Sequence, residues 1–338
     1  VLLAYPTNTD SYVYVAILGV MVWVLERERP RFCTSLLGLS ILAVFPLTKF
    51  SYATPAILCA LVIMASHCRS ISWTGGAMLG MGFLLVVALL WWMCGQDLRD
   101  LPTWIHRSLE ISSGYGESCS TPAPAGTRGP AAALIGLFAV QSLLLFRASP
   151  RSFLRWATAC VVLPILWVAF KSGFVRASDH TSIFFGFTLL APFLLAISEE
   201  RGRAEQRTGQ VCRLACVALS LAGIAAADRS TSNWVDRLAH AGDSLGRKAA
   251  VLVDPAGLRE RNEADLAGAR SRFSLLRTRR FVGDRSIDMV SFQQGGLFLI
   301  DLRWNPRPVF QGYLTISPDF MALNERFTMI AMREKYPE

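Results

Sequence analysis

Eight apolar runs, each near the length of a membrane crossing, follow one another through the first two thirds of the chain: roughly 11–25, 32–48, 51–67, 76–95, 130–147, 152–171, 180–198 and 209–227. A spanning helix needs about 20 largely apolar residues, with a workable range of about 17–25. The second and third runs form one stretch broken at "PLTKFSYATP", where Pro46 and Pro55 flank Lys49. The break predicts two short helices joined by a tight, partly buried turn, because irregular backbone at membrane depth survives only where protein or water covers it.

The polar segments between the runs alternate in kind. "ERERPR" (26–31), "HCRS" (67–70), "RASPR" (147–151) and "EERGRAEQR" (199–207) are short and arginine-rich, and all fall on one side if the Lys49 break separates two crossings. The positive-inside rule assigns that side to the cytoplasm. Residues 1–10, the Lys49 turn, the loop 96–129, the stretch 171–180 and everything from 228 onward then lie on the opposite face. In the loop 96–129, Leu101, Trp104, Ile105, Ser108, Leu109 and Ile111 recur near helical spacing after Pro102. They predict a short helix lying in the membrane interface, with Trp104 at headgroup depth.

The last third changes character. Residues 230–254, 255–276 and 317–336 read as helices, the second opening at Pro255 and the third capped by Ser317 before Pro318. "SIDMVSF" (286–292) and "VFQGYLTI" (309–316) have the alternation and β-branched or aromatic content of strands. The expected architecture is therefore a polytopic α-helical membrane protein with about eight transmembrane helices (1–227) and a C-terminal extracytoplasmic α/β domain (228–338). The chain opens at Val1 without Met and closes soon after the last predicted helix. It is accordingly expected to be a fragment, with an incomplete sheet.

Composition agrees with a membrane class. Only 17% of the 338 residues are charged and 52% are apolar, against about a quarter charged in soluble domains. The net charge is +9, with arginine supplying 30 of the 34 basic residues, and the short loops between the apolar runs are arginine-rich. That placement follows the membrane rule, so nucleic acid is not an expected partner and the lipid bilayer is. Seven cysteines lie in or beside apolar runs, with no CxxC pair, and read as small buried hydrophobes.

Candidate chemistry concentrates in "FKSGFVRASDHTSIFFGF" (170–187). Lys171, Arg176, Asp179 and His180 place four ionisable groups within ten residues between two apolar runs. Lys171 and Arg176 suit phosphate oxygens, the arginine through its bidentate fork. Asp179 and His180 could take or give a proton. Lys49, on the same predicted face, adds positive potential as a substrate-binding residue, or serves as an anchor reaching the headgroups. Asp10, Asp97, Asp100, Glu110 and Glu117 read as solvated loop charges. No metal cluster or phosphate loop is visible in the sequence. No cofactor is expected, with a carboxylate-bound divalent cation left open.

Many membrane helices, short arginine-rich loops, a long external loop with an interfacial helix and an external C-terminal domain together resemble the GT-C class of membrane glycosyltransferases. Three stretches, "GQDLRDLPTWIHRSLEISSGY", "FKSGFVRASDH" and "NPRPVFQGYLTISPDFMALNERF", are also similar to a set of uncharacterised polytopic bacterial membrane proteins. The second carries their pattern as Lys171, Phe174-Val175-Arg176, Asp179 and His180. The resemblance implies an enzyme of the bacterial inner membrane that takes a sugar from a polyprenyl-phosphate donor at the outer face, with an external acid as base. It departs from the GT-C pattern in one respect: the paired acids of the first external loop are represented only by Asp10. The expected function is such a transferase. The alternatives are a transporter or flippase of a lipid-linked or anionic substrate, or a non-catalytic assembly protein.

Overall fold

The structure is a computed structural model. It describes residues 10–26, 31–118, 120–148, 153–197, 203–227, 254–272, 275–287, 297, 299, 302–303, 305 and 317–335. The helices in chain order are α1 (Asp10–Leu25), α2 (Phe32–Thr48), α3 (Ala53–Ser70), α4 (Trp73–Met93), α5 (Leu101–Ser118), α6 (Arg128–Ala148), α7 (Phe153–Phe174), α8 (Ala177–Ile197), α9 (Arg203–Ala227), α10 (Pro255–Arg272), α11 (Leu276–Val282) and α12 (Pro318–Lys335). Short 3-10 turns precede α3 (Phe50–Tyr52) and α5 (Leu98–Asp100).

Each of the eight predicted apolar runs is a helix. Segments of α3, α4, α6, α7 and α9 are long and apolar enough to cross a membrane, and α1, α2 and α8 carry shorter apolar stretches. The architecture is that of a multi-pass membrane protein. At the predicted break, Lys49 is a single extended residue (φ −156°, ψ 126°), followed at once by the 3-10 turn and α3. The turn stays bonded, since Lys49 N–H donates to the Phe45 carbonyl at 3.2 Å and Tyr52 N–H to the Lys49 carbonyl at 2.9 Å. This satisfies the requirement that backbone polar groups at membrane depth find partners.

One compact unit holds α1–α4, the start of α5 and α6–α9. Helix α1 is its centre and packs on α2, α3, α7 and α8. Tyr14, Ile17, Leu18 and Met21 are fully buried there, as expected of a helix apolar on every side. Helix α4 lies at the edge against α2 and α3. Its Met78, Met81, Leu84, Leu85 and Leu89 are exposed, a surface suited to lipid contact. Trp73 and Trp92 stand exposed at its two ends. They are about 28 Å apart at 1.5 Å per residue, close to the roughly 30 Å of a bilayer core bounded by its aromatic belts. Close contacts elsewhere depend on small residues. A Cβ at Gly223 of α9 would come within 2.1 Å of the Phe185 ring of α8, and one at Gly38 of α2 within 2.5 Å of Val24 of α1.

Cross-helix contacts sort the helix ends into two sets. At one end meet the starts of α1, α3, α6 and α8 and the ends of α2, α4 and α7; here Asp10 pairs with Lys49, and Phe50 and Trp91 both pack on Trp104 of α5. At the other end the Arg69 guanidinium lies 5.8 Å from the Phe153 ring centre, joining the end of α3 to the start of α7. Among the described residues, five helices are long and apolar enough to cross a membrane, which cuts back the expected eight spans; the other three apolar helices are shorter.

The second unit gathers the described residues of 109–118 and 254–335, and it corrects the expected α/β domain. Its described residues form the helices α10, α11 and α12 and contain no strand. Residues 288–292 and 309–316 lie outside the described residues, as do 228–253. The pairing that is seen is confined to Ile287, whose N–H donates to the Arg303 carbonyl at 2.8 Å and whose carbonyl accepts from Asn305 N–H at 3.0 Å. A pair of strands so short is marginal by itself, whereas the helices here carry their own caps. Asp254 accepts from Gly257 N–H at 2.9 Å before α10, and Ser317 accepts from Phe320 N–H at 3.2 Å before α12. Val282, Leu297 and Leu302 form a small apolar core with Ile287 against it. The Ser317 hydroxyl also donates to the Glu110 carboxylate of α5.

Candidate functional site

The first turn of α1 carries Asp10, Ser11 and Tyr14, and the three side chains reach in two directions. Asp10 is only 3% exposed. One of its oxygens takes the Lys49 ammonium at 2.5 Å, and the other accepts a hydrogen bond from the Tyr52 hydroxyl. Asp10 lies in the first turn of a helix, where the macrodipole favours negative charge. One turn on along the same face of α1, the Tyr14 hydroxyl and the Ser172 hydroxyl of α7 are 2.9 Å apart, and the neighbouring Ser11 makes a long 3.5 Å contact to the Ser182 carbonyl of α8. A polar layer thus crosses the bundle at one end, from the α2–α3 break through α1 to the α7–α8 hairpin.

Local backbone sets one side of this layer. The extended Lys49 and the 3-10 turn after it present the ammonium and the Tyr52 hydroxyl three residues apart in one break. Tyr52 and Phe187 meet the Tyr14 ring edge-on, with centroid distances of 5.6 and 6.4 Å. The α7–α8 hairpin is closed by aromatic packing: Phe170 and Phe174 stack at 4.7 Å, and Phe184 meets both at 5.6 Å. Gly173 permits the close turn, since a Cβ there would lie 3.1 Å from the Phe184 Cβ and 3.2 Å from the His180 carbonyl.

The expected site residues fall into two groups. Lys171 ends α7 with an exposed side chain, Arg176 is exposed in the turn, and His180 is half-buried early in α8. Asp179 has its backbone in the first turns of α8, and its side chain lies outside the described residues. One hairpin therefore places these four. Lys49 belongs to the same end of the bundle and is joined to Asp10 of α1. Arg176 has a second neighbour: it forms an isolated parallel bridge with Thr121, whose N–H donates to the Val175 carbonyl at 2.8 Å. Beside this bridge is a mostly apolar cavity of about 370 Å³, lined by Thr121, Ala123, Arg128, Ile135, Phe170 and Phe174 among others.

Tyr14, Tyr52 and Ser172 were not singled out from the sequence, and Asp10 is corrected from a solvated loop charge to a buried, paired carboxylate. A signal did exist. Lys49 is the sole Lys or Arg between Arg31 and Arg69, and a cation so isolated in an apolar stretch calls for an acid at the same depth. Asp10, heading the preceding apolar run, is the acid that the crossing parity puts there. Among the described residues no three His, Cys, Asp or Glu side chains group as a metal site would need. Comparison of the chain with protein-family models, with curated proteins and with solved structures finds no match.

Proposed function

We propose that this protein is a membrane transferase that acts on a phosphate-linked lipid, with a polyprenyl-phosphate-linked sugar as donor, at the bundle end that carries Asp10. The observation that carries the reading is the buried Asp10 carboxylate, held by Lys49 and Tyr52 at the bundle end that carries the Lys171–His180 hairpin. A charge at such a position costs several kcal/mol to desolvate. An acid and cations kept together at a membrane end therefore call for a function.

In this reading the hydroxyl oxygen of an acceptor attacks the sugar carbon, and the bond from that carbon to the phosphate oxygen breaks. The hydroxyl proton passes to a carboxylate or to His180, and the polyprenyl phosphate leaves with its added charge balanced by Lys171 and Arg176. Asp10 and Asp179 are the candidate carboxylates. The cavity between α6 and α7 offers room for the apolar chain of the donor, with Arg128 at its edge. The natural side for the reaction is the outer face of a bacterial inner membrane. A second reading, a carrier of a lipid-linked or anionic substrate, is favoured by one feature: the ion pair sits at the α2–α3 break, the kind of place where carriers bind ions.

The test uses the full chain in nanodiscs with a polyprenyl-phosphate sugar and a hydroxyl acceptor. The expected result is measurable transfer, reduced at least about 100-fold in the variant that lacks the base, Asp10→Asn or Asp179→Asn, while the donor still binds. Arg176→Ala should weaken donor binding. Donor movement across sealed vesicles without any transfer would select the carrier instead.

A further inference from the structure

We propose that the segment around α11 is a docking surface for anionic lipid headgroups. This proposal is independent of the transfer chemistry. Between 270 and 285 stand six arginines, Arg270, Arg272, Arg277, Arg279, Arg280 and Arg285, against one acid, Asp284. Three large apolar side chains of the same segment are out in solvent: Leu275 at 48%, Leu276 at 61% and Phe281 at 79% exposure.

The helix fixes which side faces where. At 100° per residue, Leu276, Arg280, Arg277 and Phe281 fall within one arc of about 140°. Val282 and Thr278 lie on the opposite side. Val282 is buried against Leu297 and Leu302 and holds the helix to its own unit. Its anchored face is thus apolar, and its outer face mixes two arginines with a leucine and a phenylalanine. Arg285 supports that face, because its guanidinium bonds the Phe281 and Val282 carbonyls and stands 5.6 Å from the Phe281 ring centre.

The occupant follows from the combination. Exposed arginines alone would suit any polyanion. Bulky apolar side chains interleaved with them suit the boundary between headgroups and acyl chains, where the rings and methyl groups enter and the guanidinium groups hold phosphates. Each arginine near an anionic surface is worth on the order of a fivefold change in affinity. The pair Arg277 and Arg280 should therefore account for more than tenfold. The remainder of the chain already needs a bilayer, so such a surface is available to this segment at high local concentration.

The experiment compares amide exchange of residues 270–285 in the full chain held in two kinds of nanodisc, phosphatidylcholine alone and phosphatidylcholine mixed with phosphatidylglycerol. Protection should be greater in the anionic discs and should fall at high salt. Arg277→Gln/Arg280→Gln should reduce it by about an order of magnitude, while Arg277→Lys/Arg280→Lys should keep most of it. Phe281→Ser should weaken it without removing its salt dependence. Equal exchange in both lipid compositions overturns the proposal. So does protection that appears only when a short RNA or an acidic peptide is added.

Discussion

Asp10 and Lys49 show how a few atoms hold one end of this bundle. The carboxylate is nearly out of solvent, while the lysine side chain is half exposed. The two therefore respond differently to replacement. Lys49→Met leaves Asp10 buried with the Tyr52 hydroxyl still bonded to it. It should cost about 2–3 kcal/mol, somewhat below the roughly 3–5 kcal/mol for breaking a fully buried pair. Adding Asp10→Asn to Lys49→Met should recover part of that loss, because the uncompensated charge goes with it. Tyr52→Phe removes a single donor to the carboxylate and should cost about 1–3 kcal/mol. Thermal unfolding of the variants in one detergent measures all three. A Lys49→Met variant as stable as the parent would show that water satisfies Asp10.

At the scale of elements, the helices meet through small residues and aromatic rings. Gly223 lies against the Phe185 ring, and Phe185 is itself fully buried. Gly223→Ala must therefore push the ring or the helix, and it should destabilise by about 1–3 kcal/mol. The same change in a Phe185→Leu background should cost less, which separates crowding from any effect on helix propensity; equal cost in both backgrounds would argue against the close contact. Helix starts in the second unit were legible because their caps are local: Asp254 and Ser317 act within three residues of themselves. The strand reading was less secure for a physical reason. A strand is stabilised by a partner distant in the chain, and among the described residues Ile287 finds only two backbone bonds.

For the whole molecule, the alternation of helix ends makes a direct prediction. Ser120 and Thr74 are exposed at opposite ends of the bundle. In sealed vesicles, Ser120→Cys and Thr74→Cys should react with an impermeant thiol reagent from opposite sides, each measured against the parent chain with its native cysteines. Reaction of both from one side would mean that α4, the apolar helix between them, does not cross. The arginine-rich loops predict that Ser120 lies on the outer face.

The order of the eight apolar helices, the break at Lys49 and the Ser317 cap were determined by the sequence alone. Each depends on neighbours a few residues apart, or on the absence of charge over one membrane thickness. The place of each helix in the bundle was decided only by tertiary structure. Helices α1 and α4 are both apolar on every side, yet α1 is buried at the centre and α4 turns its methionines and leucines outward. An apolar stripe fits a neighbouring helix and a lipid tail equally well, so hydropathy carries no preference between them. The same holds for the candidate site. Lys49 announced itself by its isolation, but its partner stands 39 positions earlier. Only the packing of α2 and α3 around α1 brought Asp10 to it.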